Sequence, residues 1–409
     1  MDVSPRTNIH QAPRRPIMAH PPSPVYDWLD IPNKHKRTVY FDRANFQIIL
    51  TDQPALPDIF QRHTCPTVQA TATAIQTMVV RGAPAIGVTG AYGMVLAARE
   101  STTMKEFMQH KATLDAARPT AVNLTWATSR MLEFAKHHVT TTSTTIAQLV
   151  PVLLDEAERL AEEDIAINLR MAQVGSTVVP VYKDRPTNIS HRCNTGALAA
   201  VDWGTALGVI HYCHKILHRN IHVWVDETRP RLQGSRLSAW ELTKAQVPMH
   251  LIADGVAGGL MRQGKIDVVL YGADRVALNG DVVNKIGTFP LSVLAHEHGI
   301  PVYAVVPTST IDLTCATGDD IEIEERGRGE VVDLKLFSGG AGGGGSSIAP
   351  QNVPVYNPAF DNTPCKYVTG IVTEEGMCYP PFNESLRRVK EKAEQRIRRN
   401  WSGGNGSKM

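Results

Sequence analysis

The sequence predicts an α/β fold: a small, mostly helical N-terminal domain with short strands, then a parallel sheet covered by helices. Three observations carry this. Apolar residues recur at helical spacing in TATAIQTMVV and in LVPVLLDEAERLAEEDIAINL. From about Thr187 the rhythm changes, and short β-rich runs end near Ser190, Asp226, Ala253, Tyr271 and Val306, with another at Tyr367 to Val372. Helical stretches such as GALAAVDWGTALGVIHYCHKIL and NKIGTFPLSVLAHEHG separate those runs, and strand alternating with helix predicts βαβ units. At roughly 150 residues per domain, a chain of 409 residues is expected to form about two.

Residues 1–36 read as a proline-rich leader, flexible because it lacks the apolar periodicity needed to bury a core. Residues 37–175 form the predicted N-terminal domain, opening on a pair of short strands in RTVYFDRANFQIIL with a turn at Asp42 to Asn45. The longest uncharged run, Gly82 to Ala98, is crowded with Gly, Pro and Thr. It is shorter than the roughly 20 apolar residues of a spanning helix, so it predicts a buried loop and helix and no membrane contact. Residues 176–395 form the parallel-sheet domain, interrupted by a flexible Gly/Ser-rich loop at 337–347. After Phe382 comes a basic helix, SLRRVKEKAEQRIRR, with a solvated charged face, and residues 396–409 are expected to be a disordered tail. The closing Ser407-Lys408-Met409 is similar to a peroxisomal Ser-Lys-Leu signal, but three residues are a weak match and a frayed terminus is the better reading.

Composition narrows the function. Forty-two basic and 40 acidic side chains leave a formal charge of +2, without the basic excess of a general nucleic-acid binder. The six cysteines stand singly, with no CxxC pair, so neither a zinc site nor a disulfide framework is signalled. Without a signal peptide, that pattern fits a reducing compartment.

In open α/β sheets, ligands bind beyond the carboxyl ends of the strands. Here those ends carry His191-Arg192-Cys193-Asn194-Thr195-Gly196, then Asp226 through Gly234, then Asp254-Gly255, then Gly272-Ala273-Asp274-Arg275, then Pro307 through Thr310. Cys193 precedes an expected helix start, where unpaired N–H groups favour a thiolate, and that reading is preferred over a space-filling thiol. Asp274 follows the apolar run Val268 to Tyr271, where burial raises a carboxyl toward acid–base duty; a cap, or a partner of Arg275, weighs equally on spacing alone. Asp226 and Glu227 read as structural partners of Arg229 or Arg231. Three elements join a cation to an expected helix start or turn: Arg81-Gly82-Ala83, Arg118-Pro119-Thr120 and Asn284-Lys285. No GxGxxG follows a strand and no GxxxxGK[ST] occurs. The residues alone therefore lead to a phosphosugar enzyme or a phosphometabolite-binding regulator.

The strings RGAPAIGVTGAYG, RPTAVNLTWA, CNTGALA, DETRPRLQGSRLSAWEL, GADRVALNGDVVNKIGT and NPAFDNTP with TEEG closely resemble the methylthioribose-1-phosphate isomerase family, from about Arg37 to Gly376. That family is related to the alpha, beta and delta subunits of translation initiation factor 2B and to ribose-1,5-bisphosphate isomerases, which lack parts of NLTWA and DETRPRLQG. The resemblance implies a Rossmann-like C-terminal domain and a homodimer, cytoplasmic with nuclear presence in eukaryotic members. It implies an aldose–ketose isomerisation in methionine salvage with neither metal nor cofactor. It also implies Asp274 as proton donor, Cys193 as catalytic thiol, and Arg81, Gly82, Ala83, Arg118, Gln233, Asn284 and Lys285 as substrate contacts. The family usually has His directly before that Cys; here Arg192 separates His191 from Cys193, which unsettles the role of His191. The alternatives are an isomerase of another ribose 1-phosphate derivative and a non-catalytic sugar-phosphate or nucleotide sensor.

Overall fold

A computed structural model of the chain describes residues 24–27, 35–119, 121–142, 144–333 and 347–405. Strands β1 (Val39–Asp42), β2 (Gln47–Thr51) and β3 (Arg62–Cys65) form an antiparallel meander, with β3 added to the pair foreseen from sequence. The RHTC run has no apolar alternation, and its pairing with β2 comes from the partner strand. Helices α1 (Val68–Gln76), α2 (Ala83–Glu100), α3 (Met104–Ala116), α4 (Val122–Thr142) and α5 (Val150–Gly175) follow. Every residue of α2 from Ala85 to Ala98 is buried, so the uncharged run is a central helix wrapped by the others. Gly90 and Gly93 let α4 and α3 close in: a Cβ at Gly90 would come within 2.5 Å of the Leu124 side chain. Buried Leu153, Ala157, Leu160, Ala161 and Ile165 give α5 the one-sided apolar stripe that its spacing predicts.

The remaining strands build a seven-stranded sheet. They are β4 (Thr187–His191), β5 (Ile221–Asp226), β6 (Met249–Ile252), β7 (Val268–Tyr271), β10 (Val302–Val305), β13 (Gly370–Thr373) and β14 (Gly376–Cys378), in the order β14-β13-β10-β7-β4-β5-β6. All neighbours are parallel except β13 and β14. Each strand end foreseen from sequence falls within a residue or so of its observed position. Alternate residues face opposite ways: Val268 and Leu270 pack with α6 (Ala206–His211) and α7 (Ala239–Lys244), while Val269 and Tyr271 pack with α8 (Val256–Arg262) and α9 (Thr288–Glu297). The order reverses between β4 and β7, whose registers place His191 opposite Leu270. That reversal opens a crevice at the carboxyl ends. A second sheet of order β11-β8-β9-β12 lies there, from β8 (Arg275–Ala277), β9 (Val282–Lys285), β11 (Ile311–Asp312) and β12 (Phe360–Thr363). The short helix α10 (Gly329–Val332) and the long α11 (Phe382–Asn405) complete the elements.

Several expectations are corrected. Residues 194–205 form an irregular buried loop with one short helical turn at Ala197–Ala199, and the helix begins only at Ala206. Asn284 and Lys285 end strand β9 and do not open a helix; α9 starts three residues later, after Gly287 in the left-handed region. Within the leader, Val25 and Tyr26 are fully buried, and the Tyr26 hydroxyl bonds Thr38 at 2.9 Å. The tail expected from residue 396 is helical to Asn405, anchored where Arg396 pairs with Glu374 and Glu375. On α11, Leu386, Val389 and Ala393 are buried, so only part of the helix is a solvated face. Thr120, loop residues 337–346, Ser407-Lys408-Met409, and leader residues 1–23 and 28–34 lie outside the described residues.

Asp226 pairs with neither Arg229 nor Arg231. Its partner is Arg192, at 3.0 Å, and the same guanidinium reaches Asp254 at 3.1 Å and donates to the Ile286 carbonyl at 2.6 Å. One side chain thus ties the ends of β4, β5 and β6 to the β9 hairpin. Gly287, at φ +92°, gives it room, since a Cβ there would lie 2.1 Å from Arg192 Nη2. Burial outweighs the pairing with Arg192 and pushes Asp226 up to about 7. Replacing Arg192 with Leu should lower unfolding free energy by about 3 kcal/mol, near the low end for breaking a buried pair because Asp226 can take up a proton. Urea denaturation reads this, and an unchanged midpoint would refute the clamp.

Candidate active site

The cleft at the β4/β7 reversal holds about 790 Å3 of space including its mouth, and all nine residues singled out from sequence line it: Arg81, Gly82, Ala83, Arg118, Cys193, Gln233, Asp274, Asn284 and Lys285. Arg81 stands just before α2. Gly82, at φ +95°, caps that helix and presses against the loop behind it, where a Cβ would lie 2.4 Å from the Ala199 backbone. Only glycine tolerates both conditions. The Arg81 guanidinium donates to the Asn194 carbonyl at 2.8 Å and to its Oδ1 at 3.2 Å.

Cys193 follows β4 in the left-handed region, at φ +65°, which is a strained position for a side chain with a Cβ. Two hydrogen bonds hold it: its N–H donates to Thr228 Oγ1 at 3.0 Å, and Ser238 Oγ donates to its carbonyl at 2.7 Å. No helix starts beside it, so the dipole argument for its reactivity falls away. Its electrostatic setting comes instead from Arg81 and Lys285, both of which lie within reach of Cys193 and Asp274.

Asp274 follows β7, and its N–H donates to the Val283 carbonyl at 2.9 Å, which fixes it against β9. The side chain is solvent-exposed within the cleft, with protein crowded around its carboxyl on the other sides. That crowding raises its pKa above the usual carboxylate range, and Lys285, Arg118, Arg326 and Arg81 pull against the rise. Arg275 is not its partner and faces Asp312 at 3.7 Å. Lys285 donates to the Ala359 carbonyl at 2.9 Å and lies 4.6 Å over the Phe360 ring; burial lowers its pKa to about 8, with Arg326 adding to the shift. Asn284 donates its amide to Thr288 Oγ1 at 3.0 Å.

Sequence reasoning missed two cations of the cleft. Arg326, within ERGRGE, carries no motif that singles it out; the bridge of Glu325 to Pro358 and the bond from Arg326 N–H to the Asn357 carbonyl at 2.9 Å bring it to the cleft. Arg231 was read as an ion-pair partner of Asp226, whereas it lines the cleft and pairs with Glu330 at 2.7 Å. Among the described residues, five cationic side chains therefore line the cleft against one carboxylate, Asp274. Such a balance suits an anion. Arg118 and Arg326 share Glu324, at 3.7 and 3.0 Å, which keeps two like charges close together.

His191 does not line the cleft. It is fully buried, with Nδ1 3.0 Å from the Leu270 carbonyl, and burial lowers its pKa to about 4. A neutral ring must then donate from Nδ1, leaving Nε2 as acceptor 3.5 Å from Thr195 Oγ1. It braces the β4–β7 seam. Among the described residues no three His, Cys, Asp or Glu side chains are grouped to hold a metal ion, and no helix is long and apolar enough to cross a membrane.

Comparison with known proteins follows from this geometry. Residues 79–380 match the model of the initiation factor 2 subunit family. Methylthioribose-1-phosphate isomerase 2 of Pseudothermotoga lettingae is 46% identical over 351 residues, covering 85% of this chain and 96% of that protein. The chain belongs to the methylthioribose-1-phosphate isomerase family. The 5-methylthioribose 1-phosphate isomerase structure from Pyrococcus horikoshii superposes with a TM-score of 0.78 at 40% identity, covering 92% of this chain and 99% of that one. A structure titled translation initiation factor eIF-2B, subunit delta, from A. fulgidus gives a TM-score of 0.73 at 38% identity over 87% of this chain and 99% of that one. Isomerase relatives and factor subunits thus share one scaffold.

Beneath the cleft, Glu241 accepts from Asn194 Nδ2 at 2.7 Å, from Ala197 N–H at 2.8 Å and from Leu198 N–H at 3.3 Å. A glutamine has one acceptor oxygen where three donors converge on two. Glu241→Gln should therefore cost about 1–3 kcal/mol of stability. Thermal unfolding measures the loss, and an unaltered transition would show that the loop is held by something else.

Proposed function

We propose that this cleft converts 5-methylthio-ribose 1-phosphate to 5-methylthio-ribulose 1-phosphate, with Asp274 as general acid and Cys193 as the group serving the hydrogen transfer. The carrying observation is that these two groups follow adjacent parallel strands into one cation-lined cleft. A phosphate on the anomeric oxygen prevents the free-aldehyde opening used by ordinary sugar isomerases, so the ring oxygen must be helped to leave. Asp274, with its raised pKa, is suited to give that oxygen a proton. Hydrogen then leaves C2 and reaches C1, and the 2-hydroxyl gives up its proton as C2 becomes the carbonyl. Cys193 serves as base on a proton path or stabilises charge during a hydride shift. Label washed from C2-deuterated substrate into water excludes the hydride shift. Arg81, Arg118 and Lys285 are assigned to the phosphate, together with the Gly82 and Ala83 amides at the start of α2; Gln233 and Asn284 are assigned to the sugar hydroxyls.

The same reading divides the chain near residue 175 into a helical domain and a Rossmann-like catalytic domain. Family resemblance supports a homodimer working in methionine salvage. Substituting Asp274→Asn or Cys193→Ala should leave circular dichroism unchanged and lower kcat by about 10³-fold, within the range for general acid–base groups. Near-normal turnover in either removes that residue from the chemistry. Because Lys285 titrates near 8, its cation is lost as pH rises. The kcat/KM should accordingly fall above about pH 8, while kcat falls less because a bound phosphate dianion holds the ammonium charged. A flat alkaline limb would separate Lys285 from phosphate binding.

A further inference from the structure

A second cavity lies where α4 and α5 face the Pro307–Ser309 turn and α11, with about 1010 Å3 of space including its mouth. Val88, Ala127, Leu160 and Ile167 give it an apolar wall, and Trp126, 43% exposed, stands among its lining residues. Most of its charges already have partners. Arg130 is held by Glu156 and by both oxygens of Glu163, Arg396 by Glu374 and Glu375, and Lys390 donates to the Thr308 carbonyl. Asp164, half-buried, differs: its carboxyl accepts the Val201 N–H at 2.8 Å and a hydrogen bond from the Asn168 side chain, and no cation pairs with it among the described residues. Burial, with a smaller push from Asp202, raises it to about 7 against the hydrogen bonds of Val201 and Asn168.

Three parts of this cavity continue into the catalytic cleft. Pro84, at the start of α2 beside Ala83, lines both, and so does Pro307. Glu374 accepts from the Thr308 N–H at 2.9 Å and from its hydroxyl at 2.6 Å, fixing the turn that carries Thr310 into the cleft. Asp164 itself anchors Val201 on the loop whose Ala199 and Ala200 line the catalytic side.

We propose that this cavity is an effector site for a small apolar molecule carrying one ammonium group, which pairs with Asp164 and changes the affinity of the catalytic cleft for its sugar phosphate. The apolar wall takes the body of the ligand and the unpaired carboxyl takes its charge, as a desolvated ion pair requires. By linkage, substrate must alter the affinity for this ligand by the same factor. The probes are n-hexylammonium and its neutral analogue 1-hexanol, titrated calorimetrically into the full-length protein. The amine should bind at least about tenfold more tightly than the alcohol. Saturating amine should shift the KM for 5-methylthio-ribose 1-phosphate at least about twofold. Asp164→Asn should erase the preference for the amine. Ala127→Phe, which fills the cavity without touching the Val201 anchor, should abolish binding of both. Equal binding of amine and alcohol, binding that survives both substitutions, or an unmoved KM overturns the proposal. The calorimetry needs no turnover, so it stands apart from a failure of the isomerase assignment.

Discussion

A peptide chain led through a protein interior without helix or strand must still find a partner for each amide and carbonyl. Residues 194–205 meet that demand with side chains borrowed from distant elements. Glu241 takes three donors, Asp164 takes Val201 N–H, the Thr38 hydroxyl donates to the Ala197 carbonyl, and the Gln53 amide donates to that of Leu198. The cleft floor is built on this loop. Its precision depends on α5, α7 and the first sheet together, and the strained Cys193 is tolerable because Thr228 and Ser238 hold it from both sides.

Charge is the second organising theme. Five cations gathered around a cleft would repel one another, and the fold answers with Glu324 and Glu330 on the far side of Arg118, Arg231 and Arg326. Those carboxylates hold the guanidinium groups in place before any anion arrives. Binding of an anion there would need little reorganisation. Asp274 sits among these cations and its pKa is still raised, the crowding of protein around it outweighing their pull.

Much of this arrangement was legible in the sequence, because strand ends are marked by abrupt changes from apolar runs to Gly, Asp, Asn and Thr. Cys193 and Asp274 stand at such changes, and they share one cleft with the seven substrate contacts that the family resemblance implied. What escaped did so for identifiable reasons. GALAAVDWG has a helix-like composition, yet its backbone is claimed by Glu241 and Asp164, a tertiary effect invisible to periodicity. Asn284-Lys285 looked like a helix start because α9 follows so closely, but pairing of Lys285 with Phe360 holds it in a strand. Arg192 and Asp226 lie far apart in sequence and meet only through the order of the sheet.

Adjacent strands at a reversal of sheet order have a consequence for how the molecule matures. The turn after β4 and the turn after β7 are separated by three helix–strand excursions, and no stretch of chain shorter than that contains both Cys193 and Asp274. Local helices can form while these turns are still apart, since closing distant segments is the slow part of assembling such topologies. Catalytic competence is then a late property of a renaturing chain, gained only once the middle of the sheet has knit.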